Sequence, residues 1–228
     1  MKIANKIKQM VFTLFLLVWL TGCDKNIVDF GYDGAISGKL KDQAGNIVSG
    51  DITSTGLIVK ALGEGDNVTM DMRVQGDGSF QNTKLYPKKF KIWISGPVTM
   101  TADTLRVDFS SDKNIQYDFV VVPFLTVKLP VISGSPAATQ VTVSYEITGN
   151  NGKVPNLREV YCSTVPFPNT STGSGPYFQT NKAVVNADSG NATVTGLTSK
   201  TKYFLRVGAR ATGTTAFNYS EQIVFTTP

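Results

Sequence analysis

The chain has 228 residues, with 22 Lys and Arg against 17 Asp and Glu, two cysteines and no histidine. Without histidine, the usual general base of serine and cysteine hydrolases and the commonest ligand of catalytic zinc are both missing. We therefore expect a protein that is not an enzyme and that holds no metal or other cofactor. No basic stripe with interleaved aromatic residues is present, so we also expect no nucleic-acid partner.

Residues 1–22 are predicted to be a bacterial lipoprotein signal peptide. A basic start precedes an apolar run from Met10 to Leu20, which is too short to span a bilayer as a helix but typical of a signal-peptide core. Leu20-Thr21-Gly22-Cys23 then resembles the lipobox, in which the cysteine receives a diacylglyceryl group and cleavage occurs just before it. The resemblance implies a lipid at Cys23 that holds the protein on a membrane, followed by a tether over residues 23–32. An ordinary signal peptide, in which the cysteine is incidental, is the alternative.

The rest of the chain is predicted to be all-β, as two tandem antiparallel β-sandwich domains over residues 33–123 and 124–228. Segments such as Phe90–Ile94 alternate apolar and polar side chains, which is the pattern of a half-buried antiparallel strand. Gly, Asn, Asp and Pro turns separate these segments, and no helical period is found. A strand over Ile115–Val122 ends at Pro123, where we place the domain boundary.

The first half resembles the prealbumin-like, carboxypeptidase-regulatory type of β-sandwich. Its first strand, Ile36–Asp42, leads to a turn, and Asp77-Gly78-Ser79-Phe80 predicts a hairpin before the strand that reaches Ile94. An Asp-Gly pair suits such a turn because the turn needs a residue that tolerates positive φ. The resemblance implies a fold and no activity.

The second half, over Gly196–Ala209, resembles the E–F corner and F strand of a fibronectin type III domain. Tyr203 is expected to be the tyrosine-corner residue, whose hydroxyl bonds back to the backbone near the preceding turn, with Leu197 packed beneath it. Tyr145 stands where this fold usually has tryptophan. The residues predicted to face the core are Val141, Val143, Tyr145, Ile147, Tyr203, Leu205, Val207 and Ala209.

Taken together, the lipobox and the two halves resemble a Bacteroidetes family of two-domain lipoproteins of unknown function. Residues Asp77–Leu85 and the junction Phe119–Leu125 are most similar to it. Such proteins tend to be encoded beside Sus-type importers, which consist of a TonB-dependent barrel and its lipoprotein lid. The resemblance implies a lipid-anchored protein of the outer membrane, displayed at the cell surface, that helps to capture a glycan or a peptide.

Four aromatic residues are the candidate ligand contacts. Phe167, Tyr177 and Phe178 lie in an unusual Pro-, Ser- and Gly-rich loop over residues 165–178, and rigid aromatic faces are what sugar rings stack against. The alternative is that these rings fix the loop onto its own domain or onto the first domain. Trp93 falls on the polar side of its strand, where it either offers a second stacking surface or covers a seam between the domains, and we favour the seam.

Cys162 and the acidic turns are interpreted as structural features rather than as reactive or metal-binding sites. Cys162 alternates in step with Val160 and is expected to be a buried thiol. Acidic turns near Asp66 and Asp108 could hold calcium, but turns select Asp and Asn for backbone reasons, so we interpret them as solvated turns. Two other functions stay open: a structural spacer that binds only envelope proteins, and, least favoured, a hydrolase that uses two carboxylates.

Overall fold

The computed structural model describes residues 31–51, 56–175 and 179–228, and this part of the chain is all-β, as predicted. Cys23 with the first part of the tether, and also Tyr177 and Phe178, lie outside the described residues. Over the same described ranges, no helix has the length and apolar character needed to cross a bilayer.

The first sandwich contains two sheets that enclose one hydrophobic core. One sheet has the order β4-β1-β9-β6 with β8 also paired to β1, and the other has the order β3-β2-β5-β7. Its strands are β1 (Gly34–Lys41), β2 (Ile58–Gly63), β3 (Met70–Arg73), β4 (Ser79–Leu85), β5 (Lys89–Ser95), β6 (Val98–Met100), β7 (Leu105–Asp108), β8 (Asn114–Gln116) and β9 (Phe119–Pro123).

Strand β5 shows how the sequence pattern places side chains. Phe90, Ile92 and Ile94 are buried in the core, while Lys91 and Trp93 alternate with them and point to the outer face of the sheet. This arrangement follows from the period of two along a strand. The predicted polar side of the strand is therefore the outer face of the four-stranded sheet.

The predicted strand over Ile115–Val122 differs from the observed structure. It is split into β8 and β9, and both run parallel to β1 rather than antiparallel. The split falls at Asp118, whose carboxylate accepts a hydrogen bond of 2.8 Å from the backbone N–H of Lys39. A side-chain acceptor thus takes the place of one backbone acceptor in the ladder, which interrupts the regular pairing.

The second sandwich has a separate core between two sheets. One sheet has the order β10-β12-β11 with β15 on the other side of β12, and the second has the order β14-β13-β16-β17 with β18 also paired to β16. Its strands are β10 (Leu125–Val127), β11 (Val131–Ile132), β12 (Gln140–Gly149), β13 (Pro155–Ser163), β14 (Thr180–Val184), β15 (Ser189–Thr195), β16 (Lys202–Ala211), β17 (Phe217–Tyr219) and β18 (Ile223–Thr226).

The predicted tyrosine corner is present in this sandwich. Tyr203 is fully buried, and its hydroxyl oxygen accepts a hydrogen bond of 2.9 Å from the backbone N–H of Thr198. The same hydroxyl lies within hydrogen-bonding distance of the Gln179 side chain. Leu197 is buried nearby, and every side chain predicted to face this core is buried. Cys162 is buried as well, and burial raises the pKa of its thiol to about 12.

The two sandwiches pack into one compact unit over Tyr32–Pro228. The division into domains at residues 123 and 124 therefore stays a prediction, although each half has its own core. The contact surface between the two halves, which we call the seam, is formed by polar and aromatic residues described below.

Candidate functional site

The most heavily bonded residue of the seam is Arg206 on β16, which has no exposed surface. Its Nη1 donates to the Ser49 hydroxyl at 3.1 Å and to the carbonyl of Gly50 at 2.9 Å, both in the first sandwich. Its Nε donates to the carbonyl of Pro168, and its guanidinium lies 3.9 Å from the centre of the Tyr219 ring. Burial lowers the pKa of Arg206 to about 10, so the residue is still cationic at neutral pH.

A backbone bridge and the side chain of Asn218 also join the two halves at the seam. Ser49 forms an antiparallel bridge with Tyr219, and the side chain of Asn218 joins both halves. Its amide nitrogen donates to the carbonyl of Pro97 at 3.0 Å, and its oxygen accepts from the backbone N–H of Leu125 at 3.0 Å. These buried bonds specify one relative position of the sandwiches, because leaving any of them unpaired costs free energy.

Phe167, one of the predicted ligand contacts, lies in this seam. Its ring occupies the space above Gly76 in the first sandwich, where an added β-carbon would lie 2.2 Å from ring atoms. Its backbone N–H donates to the Gln222 side chain at 2.7 Å, and its φ of 53° is unusual for a bulky residue. The ring therefore contacts the first sandwich, as in the alternative that the sequence left open, and a role of Phe167 in ligand binding stays a prediction.

The outer face of the sheet in the first sandwich offers a different kind of surface. A groove of about 480 Å³ lies there, between the turn that follows β2 and the strands β5 and β7. We call it the β5 groove. Its walls carry the side chains of Leu62, Glu64, Asp66, Lys89, Lys91, Arg106 and Asp108.

The register of β2, β5 and β7 arranges the side chains of the β5 groove in two rows that run across the sheet. Lys91 on β5 lies directly between Leu62 on β2 and Arg106 on β7. Two residues before Lys91 on β5, Lys89 lies opposite Asp108 on β7. The first row is therefore apolar and cationic, and the second brings opposite charges together.

The two aspartates of the groove are held by their own neighbours. The carboxylate of Asp66 pairs with Lys88 at 2.6 Å. That of Asp108 accepts hydrogen bonds from the hydroxyl and the backbone N–H of Ser110, which lower its pKa. Within the described ranges, no group of three or more metal-ligating side chains gathers anywhere.

Trp93 lies on the same strand as two lining residues of the β5 groove, Lys89 and Lys91, but is not itself part of the lining. It lies two residues beyond Lys91 on the same face, is partly exposed, and is paired across the sheet with Lys60. Lys60 in turn bonds Asp71 at 3.0 Å, so its charge is already balanced. A partly exposed indole beside polar side chains is suited to stacking on a sugar ring.

A larger and shallower groove of about 960 Å³ lies between β3 and the strands β1 and β4. It is lined by polar side chains that include Lys41 and Asp118, which pair at 2.6 Å, and its aromatic lining residue, Phe80, is buried in the core. The β5 groove is likewise lined by one buried aromatic residue, Phe90, but we regard it as the better candidate site because the partly exposed Trp93 lies on the same sheet face, two residues beyond its Lys91.

Sequence reasoning pointed to Trp93 but missed Lys91 and Arg106 as a pair. Each falls on the polar side of an alternating strand, where lysine and arginine are common and carry no signal. Their position opposite each other depends on the register of β5 with β7, which the sequence does not specify locally. An alternating strand that carries Lys, Lys and Trp on its polar side was the one available indication.

Comparison with protein-family models finds no match, and comparison with curated proteins finds none either. Solved structures do match. A protein of Bacteroides uniformis, named provisionally as carbohydrate-binding, superposes with a TM-score of 0.64 at 18% identity, over 86% of this chain and 100% of its own.

Two proteins of the DUF3823 family match to the same extent. One from Bacteroides ovatus has a TM-score of 0.64 at 16% identity, over 84% of this chain and 97% of its own. One from Parabacteroides merdae has a TM-score of 0.64 at 17% identity, over 84% and 98% of the two chains. At these identities the likeness is one of fold. Over nearly its whole described length, the chain is thus similar in fold to DUF3823 family proteins of Bacteroides and Parabacteroides.

Proposed function

We propose that this protein is a non-enzymatic, lipid-anchored outer-membrane protein that binds a glycan for a Sus-type importer. The observation that carries the proposal is the β5 groove together with the partly exposed Trp93, which lies two residues beyond Lys91 on the same sheet face. Sugar rings present CH-rich faces that pack on indole, and their hydroxyl groups need polar neighbours such as those of the groove. The name of the Bacteroides uniformis protein with this fold supports a glycan over a peptide.

The carboxyl groups support binding rather than hydrolysis. A glycosidase needs a carboxylic acid with a raised pKa that can donate a proton near neutral pH. In the groove, the pKa of Asp108 is lowered by Ser110, and elsewhere the pKa of Asp118 is lowered by Lys41 and by the backbone of Lys39. Both groups are acceptors in turn or strand contacts, which is the opposite of what an acid catalyst requires.

The anchor and the partner complete the proposal. A lipid at Cys23 would keep the binding groove close to the membrane, where a TonB-dependent barrel and its lipoprotein lid take up the captured sugar. Two or more acyl chains are needed for stable attachment, and a lipoprotein cysteine supplies them. Pull-down of the native protein from solubilised outer membrane tests the partner, and mass spectrometry of its N-terminal peptide tests the lipid.

Affinity electrophoresis of the purified full chain through gels that contain single polysaccharides tests glycan binding. We expect at least one polysaccharide to retard the protein, and Trp93→Ala to weaken that binding about tenfold. Tyr117→Ala is the matched control, because Tyr117 is an exposed aromatic residue on the other sheet of the same sandwich. Retardation that Trp93→Ala and Tyr117→Ala affect equally would contradict the assignment of the site.

A structural spacer is the second candidate, and the seam is the observation that favours it. Arg206, Asn218 and Phe167 hold the sandwiches in one arrangement, as a rigid spacer would need. A stable complex with envelope proteins, combined with no retardation by any polysaccharide, would favour the spacer over the binding protein.

A further inference from the structure

In the part of the chain that the structure describes, no anion pairs with the cationic row of the β5 groove. Lys91 and Arg106 are exposed and directly opposite each other on neighbouring antiparallel strands. Like charges in that position repel and destabilise a sheet. Among the ion pairs of the described residues, none involves either side chain.

The carboxylates near this row either bond other side chains or lie in the neighbouring row, beside Lys89. Asp108 is bonded to Ser110 and faces Lys89, and Asp66 is paired with Lys88. Glu64 is exposed in the turn after β2, beside Lys89 rather than Lys91, since its backbone N–H bonds the Lys89 carbonyl at 2.8 Å. The neighbour of Lys91 on β2 is Leu62, which is apolar.

We propose that the ligand of this groove is an anionic glycan, and that Lys91 and Arg106 bind its carboxylate or sulfate group while a sugar ring stacks on Trp93. This inference rests on the proposed function, because it assigns the ligand class of the same site. Arginine presents parallel N–H donors that match a carboxylate or a sulfate, and lysine adds a second charge from the adjacent strand.

The spacing of the three side chains fits a single ligand. Residues two apart on a strand lie about 7 Å from each other on one face, so Trp93 and Lys91 are separated by roughly the width of one sugar residue. The ring and its acidic substituent can therefore be contacted together. An unliganded protein tolerates the repulsion between Lys91 and Arg106, and the bound anion relieves it.

The test compares polymers that differ in charge. The purified full chain is run through gels that contain polygalacturonate or neutral galactan, and through gels that contain dextran sulfate or neutral dextran. We expect stronger retardation by a charged polymer than by its neutral counterpart. Lys91→Gln and Arg106→Gln should each weaken that binding about tenfold, as expected for the loss of one charge-assisted hydrogen bond.

Two controls separate a specific site from general attraction to polyanions. Lys84→Gln removes an exposed lysine from β4, on the other sheet of the same sandwich, and should leave binding unchanged. Without any ligand, Arg106→Gln should raise Tm slightly, because it relieves the cross-strand repulsion. An equal loss of binding in Lys84→Gln and Lys91→Gln would overturn the proposal.

The outcomes also distinguish this inference from the proposed function. Equal retardation by charged and neutral polymers, still sensitive to Trp93→Ala, would overturn the anionic ligand and leave glycan binding in place. Failure of every polysaccharide to retard the protein would overturn both. Retardation by polygalacturonate but not dextran sulfate, or the reverse, would support the proposal and identify the anionic group.

Discussion

Replacement of Arg206 by methionine would remove the central bonds of the seam while keeping most of the side-chain volume. Arg206 is buried against both sandwiches, and it donates to Ser49, Gly50 and Pro168. In the Arg206→Met variant the carbonyls of Gly50 and Pro168 keep their buried positions but lose this donor, whereas the Ser49 hydroxyl still donates to the carbonyl of Gly76. The contact of the guanidinium with the Tyr219 ring is lost as well.

The expected magnitude follows from opposing contributions. Each buried acceptor left without a partner costs about 1–3 kcal/mol, and the cation–π contact contributes about 2 kcal/mol when desolvated. Against this, the wild-type protein buries a charge, and the drop in the pKa of Arg206 to about 10 corresponds to roughly 3 kcal/mol. With two such acceptors, we expect a net destabilisation of about 1–5 kcal/mol, which lowers Tm by roughly 2–20 °C for a chain of this size.

Differential scanning calorimetry of the purified full chain measures both the size and the form of the change. Besides the lower Tm, we expect the single transition of the wild type to separate into two, because the sandwiches keep their own cores when the seam opens. Arg106→Met is the matched control and should change stability by less than about 0.5 kcal/mol, since Arg106 is exposed. If Arg206→Met behaves like Arg106→Met, the seam is not held by this residue.

Two further predictions concern the second sandwich. Tyr203→Phe should lower the free energy of unfolding by about 1–2 kcal/mol, because the backbone N–H of Thr198 loses its acceptor, and urea denaturation with Tyr117→Phe as the exposed control measures it. Burial acts to raise the pKa of Glu159, but hydrogen bonds from Lys182 and Tyr161 outweigh it, so the pKa lies below its ordinary value of 4.5. A lowered pKa stabilises the folded protein above the unfolded value and loses that effect as pH falls through the folded value. Glu159→Gln should therefore be less stable at neutral pH by about 1 kcal/mol and lose less stability on acidification below pH 4.5, and equal acid losses in the two proteins would contradict this.

The second sandwich was the most predictable part of the fold, because its pattern is local. Alternation in β12 and β16 identified the buried face, and the spacing from Leu197 to Tyr203 identified the corner. Both depend on residues within about ten positions of each other. The parallel pairing of β1 with β8 and β9 was not predicted, because it joins segments more than 70 residues apart and depends on the Asp118 interruption.

The candidate site was predictable only in part, for the same reason. Trp93 could be placed on the polar face of its strand from the sequence. That Lys91 and Arg106 lie opposite each other could not be predicted, because it depends on the register of β5 with β7. Arg206 was equally hidden, because it lies on the outward side of β16, where an arginine is ordinary until another sandwich covers it. Phe167 was recognisable in the sequence as an aromatic residue in an unusual loop, but its contact with Gly76 of the first sandwich was not predictable from it.

The bond between Arg206 and Ser49 also constrains the order of events during folding. The two residues are 157 positions apart in the chain, and each belongs to a different sandwich. Closing so long a loop costs entropy that is repaid only when both surfaces already exist. We therefore expect the seam to form after the sheets on either side of it, so that until then Arg206 remains hydrated and the Tyr219 ring beside it remains uncovered. Between the folding of the sheets and the docking of the sandwiches, that surface is open to contacts that lead to aggregation.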